Sequence, residues 1–246
     1  MRIHRRIAAL AGASALVCWC GSAHAYRPFD GTNADVASPG QVVIELGPAQ
    51  YLREDSAHTR LAPSAVFNYG FAPGWQAVVQ GQVAHGISGG TGGTSLGGAA
   101  AYLTNMLRDG VLQGKTGPSI ATQFGVLLPG IGDDRGAGAA SSGTLSQQWA
   151  WATVHLNAAA LLTRQQHADL FLGFIVEGPQ DWPVRPVAEI FYDRTFGESK
   201  TRSALVGAIW QVKDDVALDF GLRGARVNDQ SVYEIRAGVS FQFNVP

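Results

Sequence analysis

Cysteine is nearly absent from this sequence. The two cysteines, Cys18 and Cys20, both lie within the first 25 residues. If that stretch is removed, the remaining chain has no thiol, which excludes disulfide bonds, thiolate metal sites and cysteine nucleophiles. The mature chain must then be held together by hydrogen bonds, ion pairs and packing alone.

The first 25 residues are organised like a bacterial secretory signal peptide. Three arginines precede an apolar run over residues 7–19, and Ala23-His24-Ala25 provides a small-x-small cleavage site. Neither cysteine follows the small residue that lipid attachment requires. We therefore predict that residues 1–25 are removed, that the mature chain covers residues 26–246, and that the protein is exported without a lipid anchor.

A strong charge of either sign is also missing. The chain has 18 basic and 19 acidic residues, and removal of three arginines with the signal peptide leaves 15 basic residues against 19 acidic ones. A nucleic-acid partner requires a basic patch, so we expect none. The histidines have no metal-ligand spacing, and the glycine-rich stretch over residues 86–98 lacks the Lys-Ser/Thr of a phosphate loop. We expect neither a metal nor a cofactor.

Long hydrophobic runs are missing from the mature chain, where none approaches the ~20 consecutive apolar residues of a membrane-spanning helix. Short alternating runs take their place. In residues 231–243, Ile235 and Val239 lie on one face of a strand, while Glu234 and Arg236 lie on the other. Such a strand can cover the core of a soluble sheet, or it can face lipid in a membrane barrel.

About twelve runs of this kind recur between turn signals. The predicted strands cover residues 41–53, 60–70, 75–85, 97–107, 118–128, 143–149, 153–163, 168–177, 183–194, 201–211, 216–226 and 231–243. Short connections, which include a somewhat longer one over residues 109–117, alternate with a set that contains the long ones, such as the stretches that follow His85 and Pro129. With both ends of the chain on one side, this is the loop pattern of an outer-membrane barrel rather than of a soluble periplasmic protein.

We therefore predict an all-β fold, a single antiparallel transmembrane β-barrel of about 12 strands over residues 26–246. Residues 26–40 form a short segment before the first strand. The predicted location is the outer membrane, because a closed barrel is the only structure other than a helix that satisfies its backbone hydrogen bonds in lipid.

Several segments resemble one bacterial outer-membrane family, whose members are described as transporters and as related to the meta-pathway of phenol degradation. The similar segments include GPSIATQFGVLLPG, ATVHLNAAA, ADLFLGFIVEGP and IRAGVSFQF. The resemblance implies a barrel in the lipid bilayer of a Gram-negative outer membrane, placed there by the barrel assembly machinery. It also implies a small-molecule solute, such as an aromatic or hydrophobic compound.

The polar face of the last two predicted strands is a candidate lumen lining. The turn between these strands allows a register that pairs Arg223 with Glu234, or a register slipped by two residues that pairs Asp219 with Arg236. Either register forms an ion pair in the lumen. The pair could brace a narrow barrel, or it could form a charged constriction that selects solutes.

Two further pairs of candidate lumen-lining residues lie on other strands. Arg185 and Glu189 share a face of the ninth strand, and His155 and Asn157 share a face of the seventh. A histidine and an asparagine with this spacing occur in one class of outer-membrane phospholipase, so a lumen hydrolase is an alternative. A serine within hydrogen-bond distance of His155 would favour it. Because the sequence pattern places no serine beside His155, we predict no catalytic residue and no enzymatic activity.

The sequence therefore predicts an outer-membrane channel or transporter for small solutes. A closed barrel that is structural, or that binds a partner through its outer loops, is the first alternative. The free volume of the lumen distinguishes the two, because twelve strands can leave a channel that bulky inward side chains can fill.

Overall fold

The computed structural model describes residues 27–54, 57–88, 93–131 and 135–245. The predicted signal peptide, residues 1–25, lies outside the described residues. Among those that are described, no helix has the length and apolar character needed to cross a membrane.

Twelve antiparallel strands form a closed barrel, in which each strand pairs with its sequence neighbours and β1 pairs with β12. The strands are β1 (Gln41–Glu54), β2 (Ala57–Ala72), β3 (Trp75–Ser88), β4 (Thr94–Arg108), β5 (Ser119–Leu127), β6 (Gly138–Gln148), β7 (Thr153–Leu162), β8 (Ala168–Glu177), β9 (Val184–Thr195), β10 (Ser199–Lys213), β11 (Val216–Val227) and β12 (Gln230–Asn244). A 3-10 helix, Val111–Gln113, lies between β4 and β5. The predicted fold class is confirmed.

An even number of strands places both ends of the barrel sheet at one rim. We call this the terminal rim, because Gln41 of β1 and Asn244 of β12 are paired there. The opposite end is the far rim, where residues 228–229 join β11 to β12.

The far-rim connections are shorter than the sequence predicts. The predicted long loop after His85 is mostly strand, because β3 continues to Ser88 and β4 begins at Thr94. Runs of glycine and serine are typical of loops. This stretch nevertheless forms strand, because the backbone hydrogen bonds between β-strands do not depend on side chains. The terminal rim in turn includes the ten-residue connection over residues 109–118. The predicted separation of short and long connections between the two rims is therefore wrong.

The outer face of the barrel is apolar around its middle. On β12, Tyr233 and Ile235 are 59% and 49% exposed, whereas Glu234 and Arg236 are 2% and 7% exposed. Strands β8 to β11 alternate in the same way over most of their length, and their exposed apolar side chains include Leu172, Phe174, Ile190, Val206, Phe220 and Leu222. We call this surface the apolar belt. A continuous apolar surface of this kind is suited to lipid rather than to water.

Tryptophan lies at one end of the apolar belt. Trp149 and Trp151 stack in the turn between β6 and β7, with ring centroids 5.9 Å apart. Trp182 lies in the turn between β8 and β9, and Trp75 and Trp210 lie at the terminal-rim ends of β3 and β10. The described tryptophans therefore form a girdle at the terminal rim, as aromatic residues do at the interfaces of membrane barrels.

Candidate functional site: the barrel lumen

Residues 27–40, which precede β1, run inside the barrel. We call them the lumen segment. The segment enters at the terminal rim, where the Gly40 N–H donates to the Gly70 carbonyl at 2.8 Å. The first described residue, Arg27, is buried inside the barrel. The sequence predicts a short segment before the first strand but does not indicate that it occupies the lumen.

The side chain of Arg27 fixes one end of the lumen segment to the wall. Its Nε lies 3.4 Å from Asp219 Oδ2, and its Nη2 donates to the Ala237 carbonyl at 3.0 Å. Nη1 donates to Ser64 Oγ at 3.2 Å. The Arg27 main-chain N–H also donates to the Glu45 carboxylate at 3.2 Å. Strands β2, β11 and β12 thus hold one guanidinium, because β1 pairs with both β2 and β12 in the closed barrel.

Two inward-facing glycines leave room for this guanidinium. They are Gly47 on β1 and Gly238 on β12, and a Cβ atom at either position would overlap Arg27 atoms. The β1–β12 ladder also shifts register between Leu46 and Ala49. An inward glycine in a strand often marks a close approach of another part of the chain, and here that part is the lumen segment.

A second anchor links the lumen segment to β12. Arg236 Nη2 lies 2.9 Å from Asp30 Oδ1, and Nη1 donates to the Pro28 carbonyl at 2.8 Å. Arg236 Nε also lies 2.7 Å from Glu234 Oε1. The other oxygen of the Glu234 carboxylate accepts from Arg223 Nε at 2.6 Å. These side chains form one buried network that includes the lumen segment.

The register of β11 and β12 is the first of the two predicted ones. Arg223 lies opposite Glu234 across the turn, and the two side chains form the predicted ion pair. The slipped register, with Asp219 opposite Arg236, is not adopted. The Asp219 carboxylate binds Arg27 instead.

Glu189 and Asn157 satisfy main-chain donors of the lumen segment. The Glu189 carboxylate accepts from the N–H groups of Asp30 and Gly31, at 2.8 and 2.6 Å. Asn157 Oδ1 accepts from the Thr32 N–H at 3.0 Å. Buried backbone donors need an acceptor, so these inward side chains serve the same purpose as a neighbouring strand would.

An apolar contact completes the seating of the segment. Phe29 is buried, and it packs on the wall formed by β8, β9 and β10. The residues in this cluster are Ile175, Val187, Leu205 and Ile209. The lumen is therefore not uniformly polar, because one wall presents a hydrophobic surface to the segment.

A chain of hydrogen bonds surrounds His155. Ser146 Oγ lies 2.7 Å from His155 Nδ1, and His155 Nε2 lies 3.0 Å from Glu177 Oε1. Arg185 Nε lies 3.5 Å from the other Glu177 oxygen. The Ala34 N–H donates to Ser146 Oγ at 2.8 Å. The sequence pattern places no serine beside His155, but the structure places Ser146 there, and this serine also binds the lumen segment.

The eight predicted lumen-lining residues all lie on inward faces. Seven are buried, and Arg223 is partly buried. They are His155, Asn157, Arg185, Glu189, Asp219, Arg223, Glu234 and Arg236. Residues of the same networks that the sequence pattern does not single out include Arg27, Asp30, Ser146 and Glu177. No group of three potential metal-ligating side chains lies together within the described part of the chain.

The lumen segment lies between two cavities. The cavity on the far-rim side has a volume of about 150 Å³, and Arg27, Pro28, Phe29 and Asp30 of the lumen segment line it. The cavity on the terminal-rim side is about 520 Å³ and is bounded by residues from Thr32 to Ala37. Glu45 and Val66 line both cavities, so these two side chains lie beside the segment on the wall that the cavities share.

One titratable group of the lumen segment faces the larger cavity. Water can reach the Asp35 side chain from that cavity, yet the loss of bulk water around it raises the pKa of its carboxyl above the usual value. Hydrogen bonds from the Val36 N–H and the Gln113 side chain act in the opposite direction.

Known structures share this architecture. No protein-family model matches the chain, and no curated protein matches it. The barrel is similar to an outer membrane channel from Pseudomonas putida F1, with a TM-score of 0.63, 10% identity, and coverage of 85% of this chain and 97% of that one. It is similar to the NanC porin, with a TM-score of 0.57, 8% identity, and coverage of 81% and 98%. It is also similar to the KdgM porin in complex with disordered oligogalacturonate, with a TM-score of 0.55, 13% identity, and coverage of 82% and 99%. At these identities the similarity shows a shared fold.

Proposed function

We propose that this protein is an outer-membrane channel for small solutes, and that the lumen segment closes it in the state described. The observation that supports this is the position of residues 27–40 between two cavities inside one closed barrel. The segment precedes β1 and is not a strand of the wall. Its displacement would join the cavities without breaking the barrel.

The apolar belt and the tryptophan girdle support the membrane location. The bilayer and the barrel assembly machinery are then the partners of the protein. We place the terminal rim in the periplasm, because an even-stranded barrel that inserts from the periplasm keeps both ends of its sheet there. Removal of a signal peptide at residue 25 would free the lumen segment to enter the barrel from that side.

The walls of the smaller cavity suit an aromatic or hydrophobic solute. Leu52, Tyr102 and Val232 line it, together with Arg164 and Arg223. A ring could contact the apolar side chains while a hydroxyl or carboxylate faces a guanidinium. The resemblance to the family associated with phenol degradation favours the same class of solute.

Liposome swelling with sugars, amino acids and phenolic acids tests the channel. We expect slow swelling with the wild-type barrel and faster swelling after deletion of residues 27–37, with phenolic acids passing best. Heat-modified migration on gels would show that the deleted barrel is still folded. Equally slow swelling of both proteins with every solute would instead support a closed structural barrel.

The arrangement around His155 supports a second candidate, a serine hydrolase. Ser146, His155 and Glu177 are linked in the order of a catalytic triad. However, Ser146 is fully buried, and the lumen segment covers it through Ala34. Fluorophosphonate labelling distinguishes the two functions. Labelling of the barrel that lacks residues 27–37, and its loss on Ser146→Ala, would establish the hydrolase, whereas the absence of labelling would eliminate it.

A further inference from the structure

Four cations lie together on the outer face of the barrel at the far rim. They are Arg194 on β9, Lys200 and Arg202 on β10, and Arg226 on β11, and all four are exposed. We call them the rim cluster. The strand register places Lys200 opposite Arg194 and Arg202 opposite Arg226. The cluster therefore consists of two like-charged cross-strand pairs on three adjacent strands.

Such pairs are unfavourable unless an anion lies between them. Side chains directly opposite on one face of an antiparallel sheet have Cβ atoms only ~4.5–5.5 Å apart, and like charges there repel. Over the described residues, none of the four cations forms an ion pair with a carboxylate. The nearby Glu198 is paired with His167 at 2.9 Å. Within residues 27–54, 57–88, 93–131 and 135–245, no carboxylate thus serves as a counter-charge for the rim cluster.

The other contacts of the cluster leave its charge uncompensated. Arg226 Nη1 donates to the neutral Ser231 hydroxyl at 3.1 Å. The guanidinium of Arg194 lies 4.9 Å from the ring centroid of Phe196. Both contacts orient a cation without neutralising it, so the cluster remains available to an external anion.

The height of the cluster corresponds to the head groups of the outer leaflet. Arg202 and Trp210 lie on the same outward face of β10, eight residues apart. At ~3.3 Å per residue, this separation is ~26 Å along the strand, or roughly 20 Å along the membrane normal for a tilt near 40°. Trp210 belongs to the girdle at one edge of the apolar belt, so Arg202 lies at the other edge.

We propose that the rim cluster binds the phosphate groups of a phosphorylated glycolipid in the outer leaflet. The proposal depends on the outer-membrane location and on the orientation given above. Guanidinium groups bind phosphate oxygens through paired hydrogen bonds, and a phosphate between Arg202 and Arg226 removes their repulsion. The acyl chains of the same lipid would lie against Val206 and Leu222 of the apolar belt. A free phosphate ion has no part that uses this apolar surface.

Binding of bis-phosphorylated lipid A to the purified barrel in detergent tests the site. We expect lipid A to remain bound to the wild-type barrel and to bind at least tenfold more weakly to Arg202→Ala/Arg226→Ala. Lys213→Ala is the matched control, because Lys213 is an exposed cation at the terminal-rim end of the same strand. This control should bind as the wild type does. Lipid A without phosphates should bind poorly to all three proteins.

Equal binding by the double variant and the wild type would overturn the proposal, as would equal weakening by Lys213→Ala. Displacement of lipid A by excess inorganic phosphate would identify free phosphate as the ligand and would overturn the assignment to a lipid. Liposome swelling separates this test from that of the channel. If the double variant loses lipid binding while its swelling is unchanged, the rim cluster binds lipid and has no part in solute passage. If the wild-type barrel binds lipid A but passes no solute, only the proposed channel function is overturned.

Discussion

Arg236 on β12 and Asp30 in the lumen segment form an ion pair, with 2.9 Å between Nη2 and Oδ1. The pair joins the last strand of the barrel to the segment that precedes the first. Because Arg236 also binds Glu234, the segment and the wall share one network of charges. Withdrawal of the segment leaves the Asp30 carboxylate without this partner, so the network favours the closed arrangement.

Replacement of Arg236 by methionine should destabilise the barrel. Removal of one member of a buried ion network typically costs about 3–5 kcal/mol, because the partners are left uncompensated. We expect the low end of that range, since Arg223 still binds Glu234. Urea unfolding in detergent, followed by tryptophan fluorescence, would measure the change. Arg226→Met is the control, because Arg226 is exposed, and equal stabilities of the two variants would contradict the role of the network.

Replacement of Gly70 by alanine should unseat the lumen segment. A Cβ atom at residue 70 would overlap the carbonyl oxygens of Ala37 and Ser38. We expect larger and more frequent conductance steps in planar bilayers, with an intact barrel. Gly224→Ala is the control, because nothing lies within 4 Å of a Cβ atom there. If Gly70→Ala conducts no better than Gly224→Ala, the lumen segment does not limit the current.

A disulfide between residues 34 and 146 should lock the channel shut. The Ala34 N–H lies 2.8 Å from Ser146 Oγ, so the two Cα atoms fall within the ~7 Å that a disulfide can span. The predicted mature chain has no cysteine to interfere. Ala34→Cys/Ser146→Cys should give little liposome swelling when oxidised and more when reduced. The single variant Ser146→Cys should respond to neither treatment, and passage through the oxidised double variant would show that solutes take another route.

The tryptophan girdle should report the position of one membrane interface. Since the described tryptophans lie at the terminal rim, lipids brominated near the head group should quench the fluorescence more than lipids brominated in mid-chain. The difference should be largest for Trp149 and Trp151, which stack on each other. Stronger quenching by mid-chain bromine would show that the terminal rim does not lie at an interface.

The barrel could be predicted from the sequence because its strands obey a period of two. The placement of Glu234 and Tyr233 on opposite faces follows from alternation alone, and the prediction of a membrane barrel assigns Glu234 to the buried face and Tyr233 to the exposed one. The pairing of Arg223 with Glu234 follows from the short turn, which leaves few registers. These features depend on neighbours in the sequence or on one adjacent strand.

The lumen segment could not be predicted in the same way, because it has no periodic pattern. Its position depends on partners far away in the chain, such as Arg236, which is 206 residues from Asp30. The inward glycines, Gly47 and Gly238, are the signal in the sequence for a close approach. A glycine indicates that space is needed at its position, but it does not identify the group that occupies the space.

The contact of Ser146 with His155 was within reach of sequence reasoning. β6 is rich in glycine, alanine and serine, so it shows no clear alternation, and the sequence predicts its start at residue 143 rather than at Gly138. The four-residue turn over residues 149–152 nevertheless places Ser146 opposite His155. A register argument like the one used for β11 and β12 would have found the pair.

The burial of Arg27 determines where the protein can be modified for experiments. A peptide fused directly before Arg27 would begin inside the lumen, so an affinity tag there would compete with the segment for space or pull it out. Asn244 and Val245, by contrast, are exposed at the terminal rim. Tags and fluorophores attached there would lie outside the lumen, so we expect them to leave the lumen segment in place.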